Sequence, residues 1–495
     1  MLSVFLHKNF RFSNTMRMKI KGNLNKNLEC LKEILLSDDV VFMPLNFSDK
    51  KACIIFVADI VDKGQISEFI IKPLKIFDTN AKENYSDLFT SPDCKKISTL
   101  NDCVNEIVTG STILIIDGEN TAFSFALKKF EKRAITEPPT STVIKGPREG
   151  FVESLQVNVS MMRRKLQTPD LKFINLTVGK YSSTSISICY VKGIANESLI
   201  SVLEKKLKSI DIDAVLDSSY VSKLLGEHRR SIFKQVGNTE KPDILAAKIL
   251  EGRVAIFIDG SPIALTVPYL LIEDFQSPSD YYSSSYSATI YRLIRLMSVM
   301  LSLFLPSFYV ASELFHLQFI PLSFLLTIEN SIKGIPLSPS YEIFFTLLIF
   351  EILNEASVRM PKYVGMVVSI VGGLVLGETA VNAGIISAPT LMIIAFSGIC
   401  LYTAPELVQT FSMLRFLLLI VAGSLGGYGI LCTTLIVLVY LVSFESFGAP
   451  IMAPFSPLIK KDLKDSIYKG FLIGQKLRPL SLNNKNKVRI KEEEQ

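Results

Sequence analysis

At 495 residues, with a net charge of +6 and 48% hydrophobic residues, the chain has room for two or three domains. Histidine occurs only at positions 7, 228 and 316, and the seven cysteines form no CxxC pair, which argues against a metal centre and for buried, reduced thiols. No GxxxxGK[ST], GxGxxG or GxSxG loop occurs, so no enzyme activity and no cofactor are expected.

The chain opens on a basic tail, residues 1–27, carrying Lys8, Arg11, Arg17, Lys19, Lys21 and Lys26. Leu2–Leu6 is apolar, but His7 and Lys8 stop it short of a signal peptide, so the domain that follows is expected in the cytoplasm. The basic residues read as contacts to anionic lipid. Nucleic acid is not expected as a partner, because no aromatic–basic interleaving accompanies the charges.

Residues 28–135 read as an α+β subdomain. A helical pattern over Asn27–Leu36 precedes strands Val40–Leu45 and Cys53–Val61 and a helix Gln65–Leu74. A linker, residues 136–147, follows as TEPPTSTVIKGP. Residues 148–285 repeat the order, with helix Glu149–Leu166, strands Lys172–Val178 and Ser185–Val191, and helix Glu197–Ile210. The segment Lys248–Val267 lies over Glu106–Phe125 without a gap. In both, a helix end meets a glycine (Gly110, Gly252) suited to a left-handed position. Asp117-Gly118 and Asp259-Gly260 then fall between apolar strands, as hairpin turns do. Pro242 and Asp243 read as a helix start. Arg163 and Arg164 read as a solvated or subunit-facing surface.

Residues 286–445 are almost wholly apolar, with no Asp and 14 charged side chains between Ile290 and Glu445. They read as an all-α polytopic transmembrane domain in a lipid bilayer, divided into Ile290–Ala311, Leu314–Ser331, Tyr341–Val358, Val364–Val381, Ile385–Tyr402 and Phe411–Phe444. The last stretch is about 50 Å long as a helix, against a hydrocarbon core of about 30 Å. With GSLGGYG at its middle, it is either one broken helix or two short ones. If Leu314–Ser331 does not cross and Phe411–Phe444 crosses twice, six spans place Arg359, Lys362, Arg415 and both basic ends inside. Five spans is the second arrangement. A basic cytoplasmic tail, residues 446–495, closes the chain.

Two patterns in this region are candidate sites. Gly365, Ser369, Gly373 and Gly377 recur every four residues and let a neighbouring helix approach closely. Glu351, Glu355 and Arg359 share one face of an apolar helix, and with Glu378 they are candidate ion-path or interhelix charges. A helix lying in the membrane interface is the alternative for that charged stripe.

Several stretches together resemble the A subunit of the GerA-family spore germination receptors. They are GPREGFVESLQVNVSMMRRKLQTPDLKF (146–173), TEKPD (239–243), EGRVAIFIDGSP (251–262), SDYY (279–282) leading to Arg292 and Arg295, GETAV (377–381) and FGAPIMAPFSP (447–457). The resemblance implies a receptor subunit in the inner membrane of a bacterial spore. It further implies a transporter-like B subunit and a lipoprotein C subunit as partners, and a homo-oligomeric ring, taken as a pentamer, around an ion path. The B subunit would recognise the nutrient and this chain would transduce the signal. A solute permease and a non-conducting membrane scaffold are the alternatives.

Overall fold

The computed structural model describes residues 18–47, 50–76, 88–89, 91, 93–129, 146–228, 230–361, 373, 375, 377–471 and 474–489. The basic tail to residue 17 and most of the linker at 136–147 lie outside them.

The N-terminal half builds two sheets of matching design. The first contains α1 (Leu24–Ile34), β1 (Val40–Phe47), β2 (Lys50–Val57), β3 (Cys94–Ile97), α2 (Leu100–Val108), β4 (Thr112–Ile116) and β5 (Ala122–Phe125). The second contains α3 (Leu155–Lys165), β6 (Leu171–Val178), β7 (Thr184–Val191), β8 (Gly237–Thr239), α4 (Pro242–Leu250), β9 (Val254–Ile258) and β10 (Ala264–Val267). Their strand orders, β1-β2-β4-β5-β3 and β6-β7-β9-β10-β8, correspond position by position, and every neighbouring pair is antiparallel.

Each sheet is buried on both faces, which is why its central strands are apolar throughout rather than alternating. In β4, Ile113 and Ile115 join the core under α1 and α2. Leu114 and Ile116 join the opposite core with Ile66, Ile70 and Leu74 from a helical run at 63–76. The second sheet is sandwiched in the same way.

The two Asp-Gly turns form hairpins and carry the same side-chain latch. Asp117 accepts the Leu24 N–H at 3.0 Å and Asp259 accepts the Leu155 N–H at 3.1 Å, so each turn caps the helix that opens its own unit. Asn27 and Asn158, one turn further on, each bond both backbone groups of a single residue, Lys21 and Val152 respectively. Gly110 and Gly252 take the left-handed φ values of 95° and 104° that end a helix cleanly.

Three details differ from the sequence reading. The helix expected from Glu149 begins at Leu155, because Phe151 instead donates its N–H to the Glu240 carbonyl at 2.8 Å and holds that stretch extended. The short edge strands β3 and β8 were not expected. Arg163 is not a surface residue. It forms a two-pronged ion pair with Asp39, at 2.7 and 2.8 Å, in which both side chains are 2% exposed. The Ser37 hydroxyl also bonds Asp39, and Lys172 donates to the Ile34 carbonyl at 2.8 Å. The two units therefore meet through buried polar groups, each with a partner. Arg164 pairs with Glu149 and is partly exposed.

The C-terminal half is a helix bundle of α5 (Ser285–Phe315), α6 (Pro339–Arg359), α7 (Ala388–Leu401) and α8 (Val408–Val442), with shorter helices at Leu322–Ile332 and Gly377–Asn382. Among the described residues, Ser285–Phe315 and Pro405–Val442 are long and apolar enough to cross a membrane. Most of Val364–Val381 lies outside the described residues.

The length of α8 is misleading, because it is a hairpin. Gly426 has φ 61° and ψ −149°, a conformation essentially reserved for glycine. The chain reverses there, and a Cβ on Gly429 would stand 2.6 Å from Val421 on the other limb. One limb brings Thr410 to the Ile232 carbonyl at 2.9 Å, and the other brings Tyr440 against Phe233. Both ends thus return to the same segment of the sheet half, while Gly426 packs beside Phe315 at the far end of α5. Each limb is about 24–27 Å long.

A buried charge cluster ties the segment that leads out of β10 to α5 and to the tail. Asp280 accepts from Arg292 at 3.1 Å and from Arg295 at 3.2 Å, and Arg292 also reaches Asp465 at 3.1 Å. Lys469 donates to the Asp280 carbonyl at 2.5 Å. Burial pushes the Asp465 carboxyl up and the Lys469 amine down.

Candidate functional site

The predicted charged stripe divides in the structure. Successive residues four apart on a helix advance by about 40°, so three of them cannot all face one neighbour. Glu351 turns into the bundle. Glu355 and Arg359 pair with one another at 2.8 Å on the exposed end of α6.

Glu351 meets a partner that the sequence reading had placed elsewhere. Arg415, on the first limb of α8, is 1% exposed and bonds the Glu351 carboxylate, so it is not a charge flanking the bundle. The Ser412 hydroxyl donates to the same Glu351 oxygen at 2.6 Å. Arg415 also donates to the Ser397 hydroxyl on α7 at 3.0 Å, and Ser397 in turn donates to the Ser302 carbonyl on α5 at 2.9 Å. One guanidinium thereby ties four helices together.

The energetics explain why these groups occur together. A lone arginine in an apolar bundle would cost several kcal/mol, and the carboxylate and hydroxyls around it offset that cost. The arrangement has two consequences. Glu351 is neutralised by a helix 64 residues away rather than by Arg359. The Arg415 Nε keeps no hydrogen-bond partner, so the network is not fully satisfied. Such a contact is expensive to break and specific in its geometry.

The small-residue stripe is only partly in view. Gly365 and Ser369 lie outside the described residues. Gly373 is exposed, with nothing within 4 Å of where its Cβ would stand. Gly377 is buried, and a Cβ there would lie 3.1 Å from Leu391 of α7. Glu378 beside it is exposed. Among the described residues no cluster of three or more His, Cys, Asp or Glu side chains could hold a metal ion.

Comparison with known proteins gives a consistent result. The family described as "Bacillus/Clostridium GerA spore germination protein" matches residues 28–481. The chain is 34% identical over 482 residues to spore germination protein KA of Bacillus subtilis (strain 168), covering 95% of this chain and 88% of that protein. It is 33% identical over 480 residues to spore germination protein GerQA of Bacillus cereus, covering 96% of each. The crystal structure of the N-terminal domain of the A subunit of the Bacillus megaterium spore germinant receptor GerK3 is 29% identical. It covers 52% of this chain and 99% of its own, with a TM-score of 0.42.

Proposed function

This chain belongs to the GerA spore germination protein family, and from that premise we propose that it is the A subunit of a nutrient-sensing germinant receptor, converting germinant binding into ion release. A role in spore germination follows from the family match over residues 28–481. The finer reading assigns residues 28–135 and 148–285 to two cytoplasmic subdomains and 286–445 to a six-pass domain in the spore inner membrane. A transporter-like B subunit and a lipoprotein C subunit are its partners, and copies of this chain form a ring around an ion path. The Lys and Arg distribution supports the orientation. The return of both limbs of α8 to the Ile232–Phe233 segment supports an even number of passes.

The observation that carries transduction is the Arg415 network. A transducer needs an element with two discrete arrangements, and a buried ion pair spanning four helices cannot deform gradually. Glu355, Arg359 and Glu378, exposed on the single chain, are assigned to the ion path or to contacts between copies. A permease would carry its repeat within the bundle, whereas the repeat here is in the sheets.

The test uses spores stripped of their other receptors. With this chain they should release cations on exposure to the matching nutrient, and without it they should not. Glu355→Gln should reduce that release at unchanged membrane abundance. Nutrient-triggered release that is identical with and without the chain would sink the proposal.

A further inference from the structure

At the end of the bundle away from the sheets lies a second polar cluster, separate from the Arg415 network. Glu342, in the first turn of α6, is 1% exposed. One of its oxygens accepts the Ser387 backbone N–H at 2.6 Å and the Ser387 hydroxyl at 2.7 Å, at the start of α7. That hydroxyl stands 3.0 Å from the Thr390 hydroxyl. The other Glu342 oxygen is buried and has no hydrogen-bond partner.

Two side chains of α5 lie close to this cluster. Tyr309, 8% exposed, lies against Thr390 and against Glu313 one turn on, and both α5 residues interact with Glu342 through space. The Tyr309 hydroxyl and one Glu313 oxygen are buried without a hydrogen bond of normal geometry. The ion pairs described in the bundle interior and on α6 are Glu351–Arg415 and Glu355–Arg359. Among the described residues, neither Glu313 nor Glu342 belongs to one.

Two carboxyl groups set in an apolar bundle need a compensating positive charge or a full set of hydrogen bonds. The positive end of the α7 dipole supplies about half a charge, and Ser387 and Thr390 supply only dipoles. Meanwhile the second Glu342 oxygen, one Glu313 oxygen and the Tyr309 hydroxyl are buried without a hydrogen bond of normal geometry. We propose that Glu313, Glu342 and Tyr309, with the hydroxyls of Ser387 and Thr390, form a binding site for a hard metal cation within the bundle. A donor set made only of oxygen selects against soft metals. A divalent ion such as Ca²⁺ neutralises both carboxylates and tolerates irregular geometry. The site holds its ion whether or not the chain conducts, so it stands apart from the receptor reading.

The test uses the full chain purified into lipid nanodiscs, with calcium, magnesium and potassium chlorides as separate probes. Calcium should raise the thermal unfolding midpoint by several degrees, because a ligand of the native state stabilises it. Equilibrium dialysis with labelled calcium should find one ion per chain. Glu313→Gln should abolish both effects while leaving the Glu342–Ser387 contact in place. Tyr309→Phe, which keeps the ring and its packing, should weaken binding by about tenfold. A response to potassium alone would keep the site and assign it a monovalent ion. Two results would overturn the proposal: no response to any of the three salts, with Glu313→Gln as stable as the parent, or a response equal in parent and variants. Since neither assay reads germination, failure here leaves the receptor reading untouched.

Discussion

Arg163 and Asp39 leave water together when the two sheets meet, and each is then worth more to the other than to the solvent. Removing one partner of such a pair costs about 3–5 kcal/mol, because the other is left charged and buried. Arg163→Ala and Asp39→Ala should each lower the thermal unfolding midpoint strongly. The double variant should cost clearly less than the two single losses added, a coupling that a double-mutant cycle measures directly. Asp59, close by, behaves in the opposite sense. Burial, and secondarily the charge of Asp39, raise its carboxyl from 3.8 to about 6, with Lys63 opposing. The folded state therefore binds a proton that the unfolded chain has already released. That contribution is fully present below about pH 4 and is lost as pH rises through 6. Asp59→Asn should remove the loss and add on the order of 1 kcal/mol at pH 7, where partial exposure moderates the effect. At pH 3.5 the variant should match the parent in a denaturant titration. A gain of the same size at both pH values would mean that the carboxyl charge is not the cause.

Among the elements, the α8 hairpin depends on a single residue. At Gly426 a Cβ would face a backbone conformation it cannot adopt and would stand 2.9 Å from the Phe315 ring. Gly426→Ala should therefore cost about 1–3 kcal/mol and lower the amount of folded protein in the membrane. Gly474→Ala, where nothing lies within 4 Å, should leave it unchanged in the same assay. Gly377→Leu should loosen the contact with Leu391 and impair assembly; a normally assembled variant would place that face toward lipid. The glycines of the sheet half were legible in advance because each follows a helix pattern or an Asp between apolar runs, and these are local signals. The GSLGGYG break was also visible, but four glycines offered four places to turn and local preference does not choose among them. The edge strands β3 and β8 escaped notice because four and three residues carry no alternation to read. The Arg415 network was illegible for a different reason. Periodicity reveals neighbours on one helix, whereas Glu351 and Arg415 are brought together only by packing, across 64 residues of sequence.

At the scale of the whole molecule, the tail beyond α8 acts as a strap across the sheets. Arg478 donates to the Leu250 carbonyl at 2.8 Å and Lys485 pairs with Glu197 at 2.8 Å, so the second sheet is held from the side opposite its own hairpin. With six passes, a reporter active only in the cytoplasm and fused after Gln495 should give signal. A silent reporter on an inserted, stable protein would favour five. Ending the chain after Pro457 should leave the bundle inserted but make the second sheet unit sensitive to protease, and protection equal to that of the full chain would show the strap to be dispensable. The cluster around Asp280 also sets an order in time. Asp465 lies 173 residues after Arg292 in the chain. At a synthesis rate of about 5–20 residues per second, Arg292 emerges roughly 10–35 s before the carboxylate that completes its surroundings. During that interval Asp280 alone balances two guanidinium groups, and the joint between the segment after β10 and α5 is not yet locked. The final turn of the lock comes from a part of the chain made well after the bundle begins, so a molecule cut short before Asp465 reaches the membrane with this joint open.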